Sequence, residues 1–159
     1  MAIECVNENE FYQMVAKMTN IFKHEIQRTF AYLGEKCVRR VRDRGAEESW
    51  IDQTGNLRSS IGYAIYDYGK KTIQSSFRQV FDGAEGTKKG REVVDELAKE
   101  YANTYALVVL AGMEYAEYVE AMESKDVLAS TELWAKGEIN GYLDKTMQRI
   151  LKRIRNEFK

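Results

Sequence analysis

The sequence predicts an α+β fold in which long N- and C-terminal helices pack on a small, mostly antiparallel sheet. Apolar residues recur every three or four positions from Glu8 to about Arg44 and again from Glu132 onwards, which is typical of amphipathic helices. Between these segments, the alternation at Ile61–Tyr68 and the apolar run at Tyr105–Leu110 predict strands. The chain also contains no proline, which suits long uninterrupted helices.

Length and composition favour one domain that needs no covalent or metal staple. A chain of 159 residues can bury about two-thirds of its unfolded surface in a single core. Its 24 basic and 25 acidic residues nearly cancel, so bulk charge does not indicate a nucleic-acid partner. Cys5 and Cys37 are too few for a disulfide framework, and no Cys/His cluster has the spacing of a metal site.

The N-terminal region carries no pattern of a secretory leader. No apolar run approaches the roughly 18 residues of a membrane span. We therefore expect a soluble protein that is made in the cytoplasm and is not exported by such a route.

The first predicted helix ends in a cluster of cations. Its apolar stripe comprises Phe11, Val15, Met18, Phe22, Ile26, Phe30, Leu33, Cys37 and Val41. Four arginines precede Gly45 near its end, namely Arg39, Arg40, Arg42 and Arg44. We expect Gly45 to cap the helix and the arginines to complement its negative end. The alternative is a contact of these cations with an acidic partner or with nucleic acid.

A short helix at about residues 53–60 is predicted to lead directly into the first strand. Asp52 or Thr54 can accept a hydrogen bond from a free amide at the helix start. Gly55 and Gly62 stand at the two expected changes of direction, where a residue without a side chain has the widest choice of dihedral angles.

Within this short helix, residues three or four positions apart share a face. Leu57 and Ile61 are therefore expected to anchor the core, whereas Arg58 is expected to face outward.

The next segment predicts a hairpin followed by a loop. After Gly69-Lys70, alternation at Thr72–Phe81 indicates a second, antiparallel strand with one polar side, which is a natural edge for pairing between subunits. The glycine-rich and charged segment 82–91 is expected to be a mobile loop. It lacks the Gly-Lys-Ser/Thr ending of a phosphate-binding loop, so no nucleotide site is predicted. A short helix is expected at 91–102.

The run Tyr105–Leu110 is the most apolar in the chain and is predicted to be the central buried strand. Gly112 ends it, and a helix at about 113–122 follows. Glu114, Glu117 and Glu120 repeat every three residues along one helix face. We expect a solvated face there, although carboxylates in such a row can also hold a metal or share a proton.

The last predicted helix begins at Glu132, with Ser130 or Thr131 as its cap, after a short strand or extended link at 127–130. Its second half is basic, with Lys145, Arg149, Lys152, Arg153, Arg155 and Lys159. These cations suit the negative end of a helix. An acidic binding surface on a partner is the alternative explanation.

No catalytic constellation emerges from the residues. His24 is the only histidine and has no nucleophile or metal-ligand companion at useful spacing. Ser59 and Ser60 lack the context of a nucleophile elbow. Asp52 and Asp67 have no support as an acid–base pair. We predict that the protein is not an enzyme and takes no cofactor or metal.

Two blocks carry a resemblance to a known family. Asp52-Gln-Thr-Gly-Asn-Leu-Arg-Ser-Ser-Ile61 resembles the signature D-x-T-G-x-L-R-x-S-I, and Leu110-Ala-Gly-Met-Glu-Tyr-Ala-Glu-Tyr-Val-Glu120 resembles a strand followed by Y-A-x-Y-V-E. Both belong to the head–tail joining or tail-completion proteins of tailed bacteriophages, the gene-product-ten family of lambda-like siphophages. That family usually continues V-E-x-G, whereas Ala121-Met122-Glu123 follows here, so a turn is expected near Ser124-Lys125. The matching residues are Asp52, Thr54, Gly55, Leu57, Arg58, Ser60, Ile61, Tyr115, Ala116, Tyr118, Val119 and Glu120.

The resemblance implies a structural virion or prophage protein that joins head and tail. Such a protein works as a ring of identical copies at the neck, between the head connector and the tail tube. Its partners would be itself and other connector and tail proteins, with no small-molecule substrate and no membrane. It would act first in the host cytoplasm and then in the virion. The candidate interface residues are Lys88, Lys89, Arg91, Glu114, Glu117, Arg149 and Arg153.

Two other function classes stay open from the sequence. One is a small hydrolase that uses Glu114 and Glu117. The other is a basic-helix nucleic-acid-binding or regulatory module, because both long helices end in cations.

Overall fold

The computed structural model describes residues 7–45, 47, 49–122 and 125–158. Its helices are α1 (Glu8–Arg42), α2 (Asn56–Ser59), α3 (Ala84–Leu97), α4 (Ala116–Ala121) and α5 (Ala129–Glu157), and its strands are β1 (Ile61–Asp67), β2 (Lys70–Gln74) and β3 (Tyr105–Ala111). The predicted α+β class, with long terminal helices and a small antiparallel sheet, is confirmed. Cys5 and Lys159 lie outside the described residues, as does part of the turn expected near Ser124.

The sheet has the order β2-β1-β3, and both neighbouring pairs are antiparallel. The central strand is β1, which is buried from Ile61 to Tyr66. The prediction that Tyr105–Leu110 forms the central strand is therefore wrong, because β3 lies at an edge and is mostly half-buried. Its apolar run has another cause: both faces of β3 pack on apolar clusters, with Val109 in one and Leu110 in the other.

The hairpin between β1 and β2 turns at Tyr68 and Gly69, whose φ angles are 49° and 81°. Two successive positive φ values suit the tight turns that match strand twist. The second strand ends at Gln74, so the predicted extent of 72–81 is wrong. The alternation continues as burial, since Ser75 and Phe77 are buried beyond the strand; Ser75 still bonds to Tyr63 of β1.

The chain forms two compact units, one within Met1–Thr29 and Asn140–Lys159 and the other Phe30–Ile139. The second unit contains the sheet and two apolar clusters. One cluster joins β1 to the end of α1 through Ile61, Val38 and Val41, and the other joins it to α3 through Tyr66 and Val94. The prediction of a single domain stays a prediction, because compactness alone does not show how each unit folds.

The first unit pairs the start of α1 with the end of α5. Lys17 Nζ lies 3.7 Å from Glu157 Oε1, and Thr29 Oγ1 lies 2.6 Å from Thr146 Oγ1. An early residue of α1 thus meets a late residue of α5, and a later residue of α1 meets an earlier one. The two helices run antiparallel in this unit.

The segment 82–91 is helical from Ala84 onwards, so the predicted loop is wrong there. A Cβ added at Gly86 would lie 1.9 Å from the Asn56 carbonyl oxygen, and one at Gly90 would lie 2.5 Å from the Phe77 ring. These glycines permit close packing of α3 rather than mobility. The helix then ends at Leu97, earlier than the predicted 91–102 helix.

Several predicted boundaries also shift. Helix α1 ends at Arg42 and Gly45 has no positive φ, so Gly45 is not the expected cap. Helix α5 begins at Ala129 rather than Glu132, so Ser130 and Thr131 lie inside the helix and neither is the expected cap. Gly62 lies inside β1 and not at a turn. The Phe77 ring leaves no room for a side chain at Gly62.

Candidate functional site

Arg58, in the first block of the resemblance, does not face outward as predicted. Its side chain is only 16% exposed and pairs with Asp52, with 3.3 Å between Nε and Oδ2. Its guanidinium donates hydrogen bonds to the carbonyl oxygen of Arg42 and, at 3.2 Å, to that of Arg44. It also lies 5.1 Å from the centre of the Trp50 ring. We call Trp50, Asp52 and Arg58 the arginine clamp.

The arginine clamp supplies hydrogen-bond donors to carbonyl groups at the end of α1. The last carbonyl groups of a helix have no donors within the helix, and α1 ends at Arg42. Arg58 supplies these donors from 14 and 16 residues further along the chain. The signature arginine is therefore a structural cap of α1.

The rest of the first block builds the entry to the sheet. Thr54 Oγ1 accepts a hydrogen bond from the Asn56 amide at 3.3 Å, so Thr54 rather than Asp52 is the expected acceptor. Gly55 has φ 79°, and a Cβ there would lie 1.9 Å from the Val80 carbonyl oxygen. The expectation that Gly55 marks a change of direction is confirmed.

Leu57 and Ile61 are 2% and 0% exposed, which confirms both as core anchors. Ser60 is buried, and its hydroxyl and carbonyl oxygens each accept a hydrogen bond from the Gly112 amide at 3.1 Å. Sequence reasoning missed Ser59, whose hydroxyl oxygen accepts a hydrogen bond from the Val80 amide at 2.8 Å. The first block thus connects α1, β3 and the segment 75–81.

The second block contains a cap rather than a row of equivalent carboxylates. Glu120 accepts hydrogen bonds from the amides of Val127, Leu128 and Ala129 at 3.0, 2.7 and 3.1 Å. These amides stand at the start of α5, where donors lack partners and a negative charge is favoured. Glu120 therefore serves the fold, a role that its sequence spacing does not reveal.

The remaining residues of this block divide between the core and the surface. Ala116 is buried and Val119 packs on the core, whereas Tyr115 and Tyr118 are exposed. Glu114 and Glu117 are exposed as well. Within the described ranges, no group of three or more His, Cys, Asp or Glu side chains is arranged to hold a metal ion.

The candidate interface residues are distributed over both units. Lys88 lies 3.7 Å from Glu92, Lys89 lies 3.4 Å from Glu114, and Arg91 is exposed.

Arg149 and Arg153 both bind Glu25, with nitrogen–oxygen distances of 3.0 and 2.8 Å. Glu25 is only 3% exposed. Burial alone would raise its pKa, but the hydrogen bonds and charges of Arg153 and Arg149 outweigh burial and lower the pKa. These two arginines therefore hold the two helices of the first unit together, and their outer surfaces are about half exposed.

The four arginines at the end of α1 have separate surroundings. Arg40 lies over the Trp134 ring at 5.3 Å. Arg44 pairs with Asp126 and donates a hydrogen bond to the Val127 carbonyl oxygen at 2.7 Å. Arg44 thus stabilises the start of α5. The expectation that the four arginines complement the negative end of α1 does not account for this role.

Arg39 and Arg42 instead line a surface pocket of about 640 Å³ together with Arg78. We call these three residues the arginine pocket. Arg42 donates a hydrogen bond to the Arg78 carbonyl oxygen. Burial and the positive charges of Arg78 and Arg58 lower the pKa of Arg42. The pocket wall opposite α1 is the segment 75–81.

An apolar cavity of about 400 Å³ lies between α1, β3 and α5 and includes Cys37. Burial raises the pKa of the Cys37 thiol, so this thiol is poorly suited to nucleophilic chemistry. His24 is exposed beside Arg153 and Glu25. Neither residue stands in a recognisable catalytic arrangement.

The first unit exposes apolar side chains on both of its helices. Phe11, Val15 and Phe22 follow one another at intervals of four and seven residues in α1. Met147 and Leu151 in α5 follow at the same intervals with Phe158, which comes just after the helix and whose amide still donates to the Ile154 carbonyl oxygen. All six residues are exposed. Residues at these intervals share one face of a helix. Each helix therefore presents an exposed apolar face.

None of the helices in the described part of the chain combines the length and apolar character needed to cross a bilayer. Comparison of the sequence with models of known protein families and with curated proteins, and of the structure with solved structures, found no match.

Proposed function

We propose that this protein is a non-catalytic structural component of a tailed phage or prophage, which joins head and tail as a ring of identical copies at the neck. The observation that carries the proposal is the pair of exposed apolar faces on the first unit. The resemblance of the two sequence blocks gives the place in the virion.

The apolar faces support assembly because they are costly to leave in water. Phe11 and Leu151 are more than half exposed, and Phe22 and Phe158 are exposed as well. Each apolar side chain that is covered contributes about 1.5–3 kcal/mol when burial is complete. Contiguous apolar surface of this kind marks interaction sites in soluble proteins, and a neighbouring copy can cover it.

The sheet offers a second means of association. Its outer strands are β2 and β3, and in the described residues no further strand pairs with the outer edge of either. Unpaired strand edges present backbone donors and acceptors that another chain can use. A head-to-tail contact that uses different surfaces of each copy closes into a ring when the rotation permits.

The residues of the two signature blocks fit a structural role. Arg58 and Glu120 cap helix ends, and Leu57 and Ile61 fill the core. The alternatives of a hydrolase and of a nucleic-acid or regulatory module stay predictions. Glu114 and Glu117, on which the hydrolase would rely, are exposed surface residues.

The proposal is tested in a phage or prophage whose copy of the gene is deleted. We expect separate heads and tails to accumulate, and the wild-type protein supplied in trans to restore joined particles. The variant Phe11→Ser/Phe22→Ser should fail to restore joining and should associate about tenfold more weakly in light scattering, because it removes exposed apolar surface. The matched control is Gln13→Ser/Asn20→Ser, at exposed polar positions of the same helix.

Normal joining in the deletion strain would contradict the neck function. Normal association of the phenylalanine variant would show that the apolar faces are not the contact. Circular dichroism of each variant checks that the helices remain formed.

A further inference from the structure

The arginine pocket is lined by more cations than carboxylates, because Arg58 joins Arg39, Arg42 and Arg78 there. Asp43 and Asp52 offset part of the positive charge around Arg42, but burial and the charges of Arg78 and Arg58 still lower its pKa. Among the described residues, no carboxylate lies within ion-pair distance of Arg39, Arg42 or Arg78. The carboxylates that line the same pocket are Glu35 and Asp43. Glu35 is engaged with the Tyr63 hydroxyl.

The positive charges are also held close together. Arg42 is half-buried and anchored on the Arg78 backbone, and Arg58 lines the same pocket while it is paired with Asp52. Like charges at short range raise the energy of the site. An anion that enters the pocket relieves this repulsion.

The opposite wall of the pocket is built with strained backbone. Phe77 and Phe81 have φ angles of 46° and 49°, a region that bulky residues rarely adopt. The buried Phe77 ring and the hydrogen bond from the Val80 amide to Ser59 hold this segment in place. Arg78 lies between the two strained residues, so the backbone that carries its side chain is held in place.

We propose that the arginine pocket binds carboxylates of a neighbouring copy of the same chain, supplied by Glu114 and Glu117. Guanidinium groups match carboxylates in geometry and can bind them with two parallel hydrogen bonds. Both glutamates are exposed, and the side chain of Glu114 is 88% exposed with Lys89 as its partner. The balance of 24 basic and 25 acidic residues favours a protein carboxylate over a nucleic acid.

This contact rests on the ring assembly proposed above and names its surfaces. One copy contributes the pocket and the next contributes the acidic pair, which is a head-to-tail contact of the kind that forms closed rings. In the described structure the acidic pair makes no contact with the pocket of its own chain. Each copy can therefore engage one neighbour through each surface.

The test uses two charge-reversed full-length variants, Arg39→Glu/Arg78→Glu and Glu114→Arg/Glu117→Arg. Each alone should associate at least about tenfold more weakly than wild type, because like charges then face each other. A mixture of the two should regain association to within about threefold of wild type, since each reversed surface meets its complement in the other variant. Wild-type association should also weaken between about 0.05 M and about 0.5 M salt.

Lys99→Glu and Glu96→Arg each reverse one charge at an exposed position outside the pocket and the acidic pair and should associate like wild type. Circular dichroism should show all variants folded, because the Arg42 contact uses only the backbone of Arg78. The contact is overturned by normal association of either variant alone, by a mixture that fails to associate, or by a monomeric wild type at low salt. If wild type still restores head–tail joining in those cases, only this contact fails and the neck function stands. Binding of short DNA to the pocket in place of self-association would also overturn it.

Discussion

At the scale of single residues, Arg58 is the side chain on which the signature block depends most. It satisfies the carbonyl groups of Arg42 at the end of α1 and of Arg44 just beyond it, neutralises Asp52 and covers the Trp50 ring. All these partners lie in the second unit, so the loss of one side chain leaves several groups without partners.

Replacing Arg58 by alanine should lower the free energy of unfolding by about 3 kcal/mol, because Asp52 then keeps a buried charge without a partner. Arg58→Lys should recover only part of the loss, since an ammonium group cannot reach the two carbonyl oxygens and the carboxylate together. Urea unfolding measures both changes. Arg91→Ala removes an exposed arginine and should change the free energy by less than about 0.5 kcal/mol.

If Arg58→Ala lowers the free energy of unfolding no more than Arg91→Ala does, Arg58 is a surface residue, as residue spacing predicts. The double variant Asp52→Asn/Arg58→Ala sharpens the test. It should be less destabilised than the sum of its two single changes, because the uncompensated charge has been removed.

Residue spacing predicted some of these roles and missed others for a physical reason. Leu57 and Ile61 were predictable because burial of apolar residues follows local periodicity. Arg58 was not, because its partners are backbone carbonyls far back in the chain. Glu120 was missed in the same way, since its three partners are amides of the next helix.

At the scale of elements, the glycines of α3 and α5 have opposite meanings. Gly86 and Gly90 in α3 face the Asn56 backbone and the Phe77 ring. Gly137 and Gly141 in α5 have no atom within 4 Å of an added Cβ. The same residue type thus marks close packing in one helix and open space in the other.

Gly86→Ala should destabilise the protein by about 1–3 kcal/mol, because the new methyl group overlaps the Asn56 carbonyl and forces α2 and α3 apart. Gly137→Ala and Gly141→Ala should each stabilise it by about 0.5–1 kcal/mol, since alanine has the higher helix propensity and meets no neighbour. Thermal unfolding of the three single variants measures the difference. A stabilising Gly86→Ala would mean that 82–91 is the loop that composition suggests.

The long helices and the strands were predictable as elements, whereas which elements pack or pair with each other was not. Periodicity located α1, β1 and α5 because it reports which face of each segment is covered, and a continuous apolar run located β3. It does not report strand order, so the apolar run at Tyr105–Leu110 suggested a central strand. The edge position of β3 follows from pairing with β1, which no local pattern encodes.

At the scale of the whole molecule, the two units differ in how they are stabilised. The second unit has a sheet and two apolar clusters. The first has two helices that share Glu25, Arg149 and Arg153 and expose apolar faces. Both tryptophans of the chain, Trp50 and Trp134, belong to the second unit. Tryptophan fluorescence therefore reports on that unit alone, while far-UV circular dichroism reports on the helices of both.

This difference allows a test of how the units unfold in acid. The folded-state pKa of Glu25 is lowered, so its stabilising contribution is present above the ordinary glutamate value of about 4.3 and is lost as the pH falls through the folded pKa. Glu25→Gln should weaken the first unit near pH 7 and reduce the further loss on acidification to about pH 3, because the titrating group is gone. In urea unfolding, the midpoint from circular dichroism should fall and the midpoint from fluorescence should stay. Asp126→Asn is the matched change in the second unit, where hydrogen bonds and Arg44 outweigh burial and lower the pKa of Asp126; it should shift the fluorescence midpoint. If Glu25→Gln shifts both midpoints equally, the two units unfold as one cooperative domain, as chain length alone predicts.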